Sequence, residues 1–143
     1  MPAVDERYQR WLDEDVVWII APEEQAAFGK LSSDEERDHF IEQFWTRRDV
    51  ALQGSFREQH YGRIAYANEH FAGTFAGWKT DRGHTFIVYG KPDEVDSHPT
   101  GSASAPFEVW HYESIPGIGQ NVAFKFVDAC RCGDYRYEAV SGK

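Results

Sequence analysis

Apolar residues return at helical spacing through the first half of the chain and in alternation through the second. Tyr8, Trp11 and Leu12 share a helical face, and the acidic run Asp13-Glu14-Asp15 leads into an apolar stretch from Val16 to Ala21. Pro22 followed by Glu23 and Glu24 predicts the first turn of a second helix, where proline needs no N–H and acids favour the positive end of the dipole. Ser33-Asp34-Glu35-Glu36 has the S-x-x-E form that opens a third helix, with Phe40, Ile41, Phe44 and Trp45 on its apolar face. Ser55-Phe56-Arg57-Glu58 repeats it for a fourth, striped by Phe56, Tyr61, Ile64, Ala65 and Phe71.

Gly73, Gly77 and Gly83 end the helical pattern. Four strands are predicted beyond them: His84–Tyr89, Phe107–Tyr112, Asn121–Asp128 and Asp134–Val140. Gly90-Lys91-Pro92-Asp93, Pro116-Gly117-Ile118-Gly119 and Asp128–Gly133 supply the reversals, and the small polar residues of 96–106 read as a loop. The expectation is an α+β domain over 1–143. Helices from about 1–75 pack on a mainly antiparallel sheet of about four strands from about 76–143.

Charge narrows the partners. The 143 residues carry 24 acids against 15 bases, a formal charge of −9. That argues against nucleic acid and anionic membrane, which both need basic surface. No apolar run reaches the length of a transmembrane helix. The run at 16–21 has acidic flanks and lacks the basic start of a signal peptide.

Gly77-Trp78-Lys79-Thr80-Asp81-Arg82-Gly83, followed by Tyr89-Gly90-Lys91-Pro92-Asp93-Glu94, resembles the signature of the GWxTD-domain family. The resemblance continues through Phe40–Asp49, Phe56–Tyr61 and Arg63–Asn68, and downstream through Pro106–Trp110 and Cys130–Tyr135. It spans about Tyr8 to Tyr135, with His84 where the family commonly has arginine and Lys91 where it has proline. The resemblance implies a bacterial protein of the envelope or a secreted one, with a cytoplasmic location as the alternative. It implies no reaction.

Catalytic candidates cluster around that signature. Asp81, Arg82 and His84, with Asp93 further on, supply an acid, a guanidinium and an imidazole for acid–base work or anion binding. The competing explanation is turn chemistry, with Asp81 accepting backbone N–H bonds and Arg82 pairing with an acid. Arg47 and Arg48 suit the negative end of the third helix or a clamp on an anionic group. On the fourth helix His60 and Arg63 share a face and join the binding candidates, while Arg63 and Asn68 are also expected to tie the helix to the sheet or to the 77–83 turn.

Cys130 and Cys132 are redox or metal candidates. Two thiolates make only half a tetrahedral zinc site, so His98, His111 or a second chain would have to complete it. The alternative keeps Cys130 as a small buried residue and Cys132 as a hairpin cap beside Gly133. No metal is assigned. The chain has no nucleophile elbow, phosphate loop or dinucleotide fingerprint, and no cofactor is expected.

Two functions remain. The favoured one is a non-catalytic binding or assembly module of the bacterial envelope, meeting a protein partner through exposed aromatics such as Trp78 and Trp110. The other is a small enzyme with a pocket between helices and sheet, lined by Asp81, Arg82, His84 and Asp93.

Overall fold

The computed structural model describes residues 6–49, 55–73, 75–98 and 105–138. Five helices come mostly first and a four-stranded antiparallel sheet follows, an α+β arrangement. The chain forms two compact units, Met1–Gly62 and Arg63–Lys143.

The first unit is helical. Helix α1 (Glu6–Arg10) runs into a π-helical turn, Trp11–Asp15, and is followed by α2 (Pro22–Gly29) and α3 (Asp34–Arg48). Glu24 reaches back to the Ala21 N–H at 3.0 Å, tying down the start of α2. Ser33 caps α3 by accepting the Glu36 N–H at 3.1 Å. The Glu36 carboxylate answers to Ser32, whose N–H donates to it at 2.9 Å. The core is Tyr8, Trp11, Val16, Phe28, Phe44 and Trp45, with Phe40, Ile41, Phe56 and Tyr61 packed against it. Trp11 stands edge-on to Phe44, and Phe44 edge-on to Trp45, the geometry ring quadrupoles favour.

Helix α4 (Phe56–His70) begins in the first unit and ends in the second. The second unit then adds a 3-10 turn at Gly77–Lys79 and α5 (Asp81–Tyr89). Its sheet comprises β1 (Glu94–His98), β2 (Phe107–Ile115), β3 (Gly119–Val127) and β4 (Arg136–Glu138), ordered β1-β2-β3-β4. Register places Trp110 opposite Phe124 and Tyr112 opposite Val122. Rings of α5 and of Phe71, the residue after α4, lie on this face: Phe71 and Phe86 against Trp110, and Tyr89 stacked on Phe124.

One element is corrected. The predicted strand His84–Tyr89 is the body of α5. Its β-branched and aromatic residues favour extended backbone, but both ends of the segment enforce a helix. Thr80 caps the start by accepting the Gly83 N–H at 3.0 Å. Gly90, at φ 86°, ends it and returns its N–H to the Phe86 carbonyl. The first strand is instead β1, whose last three residues fall in the segment read as loop. The rest of that loop before Ala105 lies outside the described residues, as do Ala139 and Val140 of the predicted last strand.

Candidate functional site

The signature Gly77–Gly83 is assembled around contacts that admit no side chain. A Cβ on Gly77 would overlap the Ala67 carbonyl of α4, and a Cβ on Gly83 would overlap the Gly77 carbonyl. Backbone therefore stacks on backbone from α4 through the 3-10 turn to α5. Polar bonds lock the stack. Asn68 Oδ1 accepts the Trp78 N–H at 2.9 Å, and the Thr80 hydroxyl donates to the Gly77 carbonyl at 2.8 Å. Asp81 Oδ2 accepts the Tyr137 N–H at 2.6 Å, which fastens β4 to the start of α5.

At the other end of α5, Arg63 Nη1 donates to the Ile87 carbonyl at 3.2 Å, and the Tyr112 hydroxyl donates to the Gly90 carbonyl at 2.7 Å. These groups satisfy carbonyls that a helix C-terminus leaves open. Burial lowers the pKa of the Arg63 guanidinium and raises that of the Tyr112 phenol. Asn68 thus ties α4 to the 77–83 turn, as expected, and Arg63 ties it to a helix end.

The catalytic candidates hold separate tasks. Arg82 lies between the rings of Phe71 and Tyr135, 4.9 and 4.2 Å from their centroids, and pairs with Glu108 at 3.3 Å. Glu108 also accepts the Trp110 indole N–H at 3.0 Å. Asp93 accepts the Glu113 N–H at 2.7 Å and so pins the approach to β1 onto β2. It lines a cavity of about 430 Å³ with Glu94, His111, Tyr112 and Asn121, whereas Arg82 lines a different one. His84 is on the outward side of α5; partial burial of its ring lowers its pKa, against an opposing pull from Asp81.

The binding candidates divide similarly. In the first unit Arg48 holds Glu24 through both nitrogens, at 2.7 and 3.0 Å, with its guanidinium 3.7 Å from the centre of Phe44. Arg47 adds a bond to Glu24 at 3.0 Å. The Glu24 carboxyl falls to about 2, with Arg48 as the largest cause, burial opposing, and Ala21 and Arg47 assisting. His60 is buried, its Nε2 2.6 Å from the Asp15 carbonyl, beside Tyr61, whose hydroxyl donates to the Asp15 carboxylate at 2.8 Å. Trp78 is half-buried, with Lys79 Nζ 5.5 Å from its ring. Trp110 is 2 % exposed, so the expectation of an exposed contact residue is corrected. Alternation on β2 turns it onto the helices.

Trp110 instead helps line a cleft of about 310 Å³. Its other walls include Tyr66, Phe71 and Phe86, and Val95 and Pro92 border it from β1 and the turn before it. Tyr66 stacks on Phe86 at 4.4 Å and on His70 at 4.0 Å, and it stays 41 % exposed. The Arg82–Glu108 pair borders the same cleft. Sequence reasoning missed Tyr66, Phe86, Val95 and Glu108 as a group. Glu108 carried a signal, as an acid set among the apolar residues of a strand.

Cys130 and Cys132 form a disulfide, and both residues are exposed, contrary to the reading of Cys130 as buried. Asp128 is the carboxylate that joins them, in place of the histidines His98 and His111. His98 stacks on Phe107, and His111 meets Asp96 at 3.2 Å.

An α+β chain with an aromatic cleft and a glycine-built helix start is the class that fold and site define. The GWxTD domain family profile matches residues 4–140. The chain belongs to that family. No curated protein and no solved structure matched it. Among the described residues, no helix is long and apolar enough to cross a membrane.

Proposed function

We propose that this chain is a non-catalytic binding module of the bacterial cell envelope, which takes an extended basic segment of a partner protein along β1. The observation that carries the reading is the aromatic cleft beside an edge strand. β1 is one of the two outer strands of the sheet, the one that borders the cleft, and is exposed along its whole length. Val95, 45 % exposed, borders the cleft from that strand. An added strand gains main-chain hydrogen bonds, and its alternate side chains reach the cleft mouth. Glu94 and Asp96 flank Val95 on a chain of charge −9, which favours a basic segment and opposes an acidic one.

Asp81, Arg82 and Asp93 support the same reading, since each is engaged in holding backbone or a partly buried ion pair. The envelope location rests on family kinship. It agrees with the Cys130–Cys132 bond, which an oxidising compartment maintains.

Panning a displayed peptide library against the purified chain tests the proposal. Enriched peptides are expected to alternate Lys or Arg with aromatic or branched residues and to slow amide exchange over 94–98. Val95→Asp is expected to weaken them at least about tenfold, a loss of about 1.4 kcal/mol. Peptides that instead protect α3 in the first unit, where Leu31, His39 and Phe40 line a groove, or that ignore Val95→Asp, overturn the reading.

A further inference from the structure

The connection from β3 to β4, Asp128-Ala129-Cys130-Arg131-Cys132-Gly133, has no part in the proposed docking along β1. Its shape is organised by one carboxylate. Asp128 is 4 % exposed; its Oδ1 accepts the Cys132 N–H at 3.0 Å and its Oδ2 the Gly133 N–H at 2.8 Å. The Asp128 N–H donates to the Pro106 carbonyl at 2.9 Å, and the Asp128 carbonyl accepts the Arg131 N–H at 3.1 Å. Positive φ at Arg131 (56°) and Gly133 (91°) folds the chain so that these donors converge. Burial opposes ionisation of Asp128, but the N–H donors outweigh it and hold the carboxyl below its ordinary range.

We infer that the reduced form of this loop is a zinc site, with Asp128 Oδ1 and the sulfurs of Cys130 and Cys132 as three ligands. Their donor atoms all lie within 4.8 Å of one another. Two ligands of a tetrahedral zinc, one sulfur at about 2.3 Å and one oxygen at about 2.0 Å, stand about 3.5 Å apart. Cys130 Sγ is 3.5 Å from Asp128 Oδ1. This spacing is already present with the disulfide formed; reduction gives Cys130 a thiol proton at this position, and the metal takes that proton's place.

The backbone N–H bonds that orient the carboxylate supply the support a metal ligand needs. Both cysteines are exposed, so the fourth position faces solvent, open to water or to a donor from another molecule.

The disulfide closes the site. A dithiol reductant opens it: two electrons and two protons pass to Cys130 and Cys132 while the reductant's own thiols join as a disulfide. Zinc then displaces both cysteine protons to water. Exchange with a small-molecule disulfide reverses this: its two sulfurs leave as thiolates, the Cys130–Cys132 bond re-forms and the metal is released, so occupancy follows the thiol–disulfide balance of the surroundings.

Cobalt titration of the full chain, reduced with a non-chelating phosphine, tests this. One equivalent of Co²⁺ is expected to give thiolate charge-transfer absorption and the intense visible bands of a tetrahedral ion, bleached by one equivalent of Zn²⁺. The unreduced chain is expected to give neither. Asp128→Asn is expected to weaken binding at least about tenfold, and Cys130→Ser or Cys132→Ser to remove the charge-transfer band. The serine variants leave the Asp128 bonds in place, so they decide the matter if Asp128→Asn does not fold. A folded, reduced chain showing only the pale spectrum of hydrated Co²⁺ overturns the inference, as does a Cys132→Ser variant that keeps the spectrum.

Discussion

Phe44 and Gly77 organise their two units in opposite ways. Phe44 is fully buried and fills the first unit with ring contacts to Trp11 and Trp45. Gly77 serves the second unit by having no side chain, so that α4 and α5 meet through it at backbone distance. A core of the first kind tolerates exchange among apolar residues of similar volume. A contact of the second kind tolerates no added carbon. The difference shows that a short signature can be demanding in sequence on steric grounds: Gly77 and Gly83 admit no side chain, and Thr80 caps the helix they open.

Truncation separates the two modes. Phe44→Ala is expected to cost about 4 kcal/mol in denaturant unfolding, through lost contacts and the cavity left behind. Gly77→Ala, which adds one carbon, is expected to cost about 3 kcal/mol through overlap with the Ala67 carbonyl. Gly62→Ala, in the helix α4 that carries Ala67, is the control, since nothing lies within 4 Å of the new Cβ. It is expected to gain about 0.5–1 kcal/mol. A neutral Gly77→Ala would remove the distinction between the units.

The ion pairs sharpen the comparison through pH. Glu24 has a carboxyl lowered from 4.5 to about 2. A lowered carboxyl contributes stability that is complete well above 4.5 and is lost as pH falls through about 2. Glu24→Gln is expected to cost about 2 kcal/mol at pH 7. The gap between wild type and variant then narrows as the medium is acidified from about pH 5 to pH 2, as followed by urea unfolding. A gap that does not change with pH would show that Arg48 does not hold an ionised Glu24.

The smallest of these effects belongs to a cap. Thr80→Ala is expected to cost about 1 kcal/mol, and Thr80→Ser to restore most of it. Calorimetric unfolding of both variants makes the comparison.

Legibility in the sequence follows the same division. The helices of the first unit announce themselves because their apolar residues fall on one stripe and Ser33 carries a recognisable cap signal. The strands Phe107–Tyr112 and Asn121–Asp128 are legible because alternation exposes one face and buries the other. The segment His84–Tyr89 misled because intrinsic preference for extended backbone was overridden at both ends, by Thr80 and by Gly90. The sign was present in Thr80-Asp81, a cap followed by an acid in the first turn. β1 was hidden because an exposed edge strand has no buried face to impose alternation.

The candidate site was legible only in part. Asn68 was read correctly as a tie to the 77–83 turn. The cleft was not, since Tyr66, Phe86, Val95 and Trp110 come from four elements and meet only in space. The charged residues of the signature suggested chemistry because a sequence does not show which acids and bases are already engaged.

The central claim is that the signature residues build and fasten α5, and that Asp81 works by holding β4. Amide exchange at Tyr137 in Asp81→Ala and Asp81→Asn tests this most directly. The account predicts that the Tyr137 N–H exchanges at least about tenfold faster in the alanine variant. The asparagine variant, which keeps an acceptor oxygen, is predicted to recover most of the protection. Unchanged exchange at Tyr137 in a folded Asp81→Ala chain would contradict the account and return Asp81 to the candidates for chemistry.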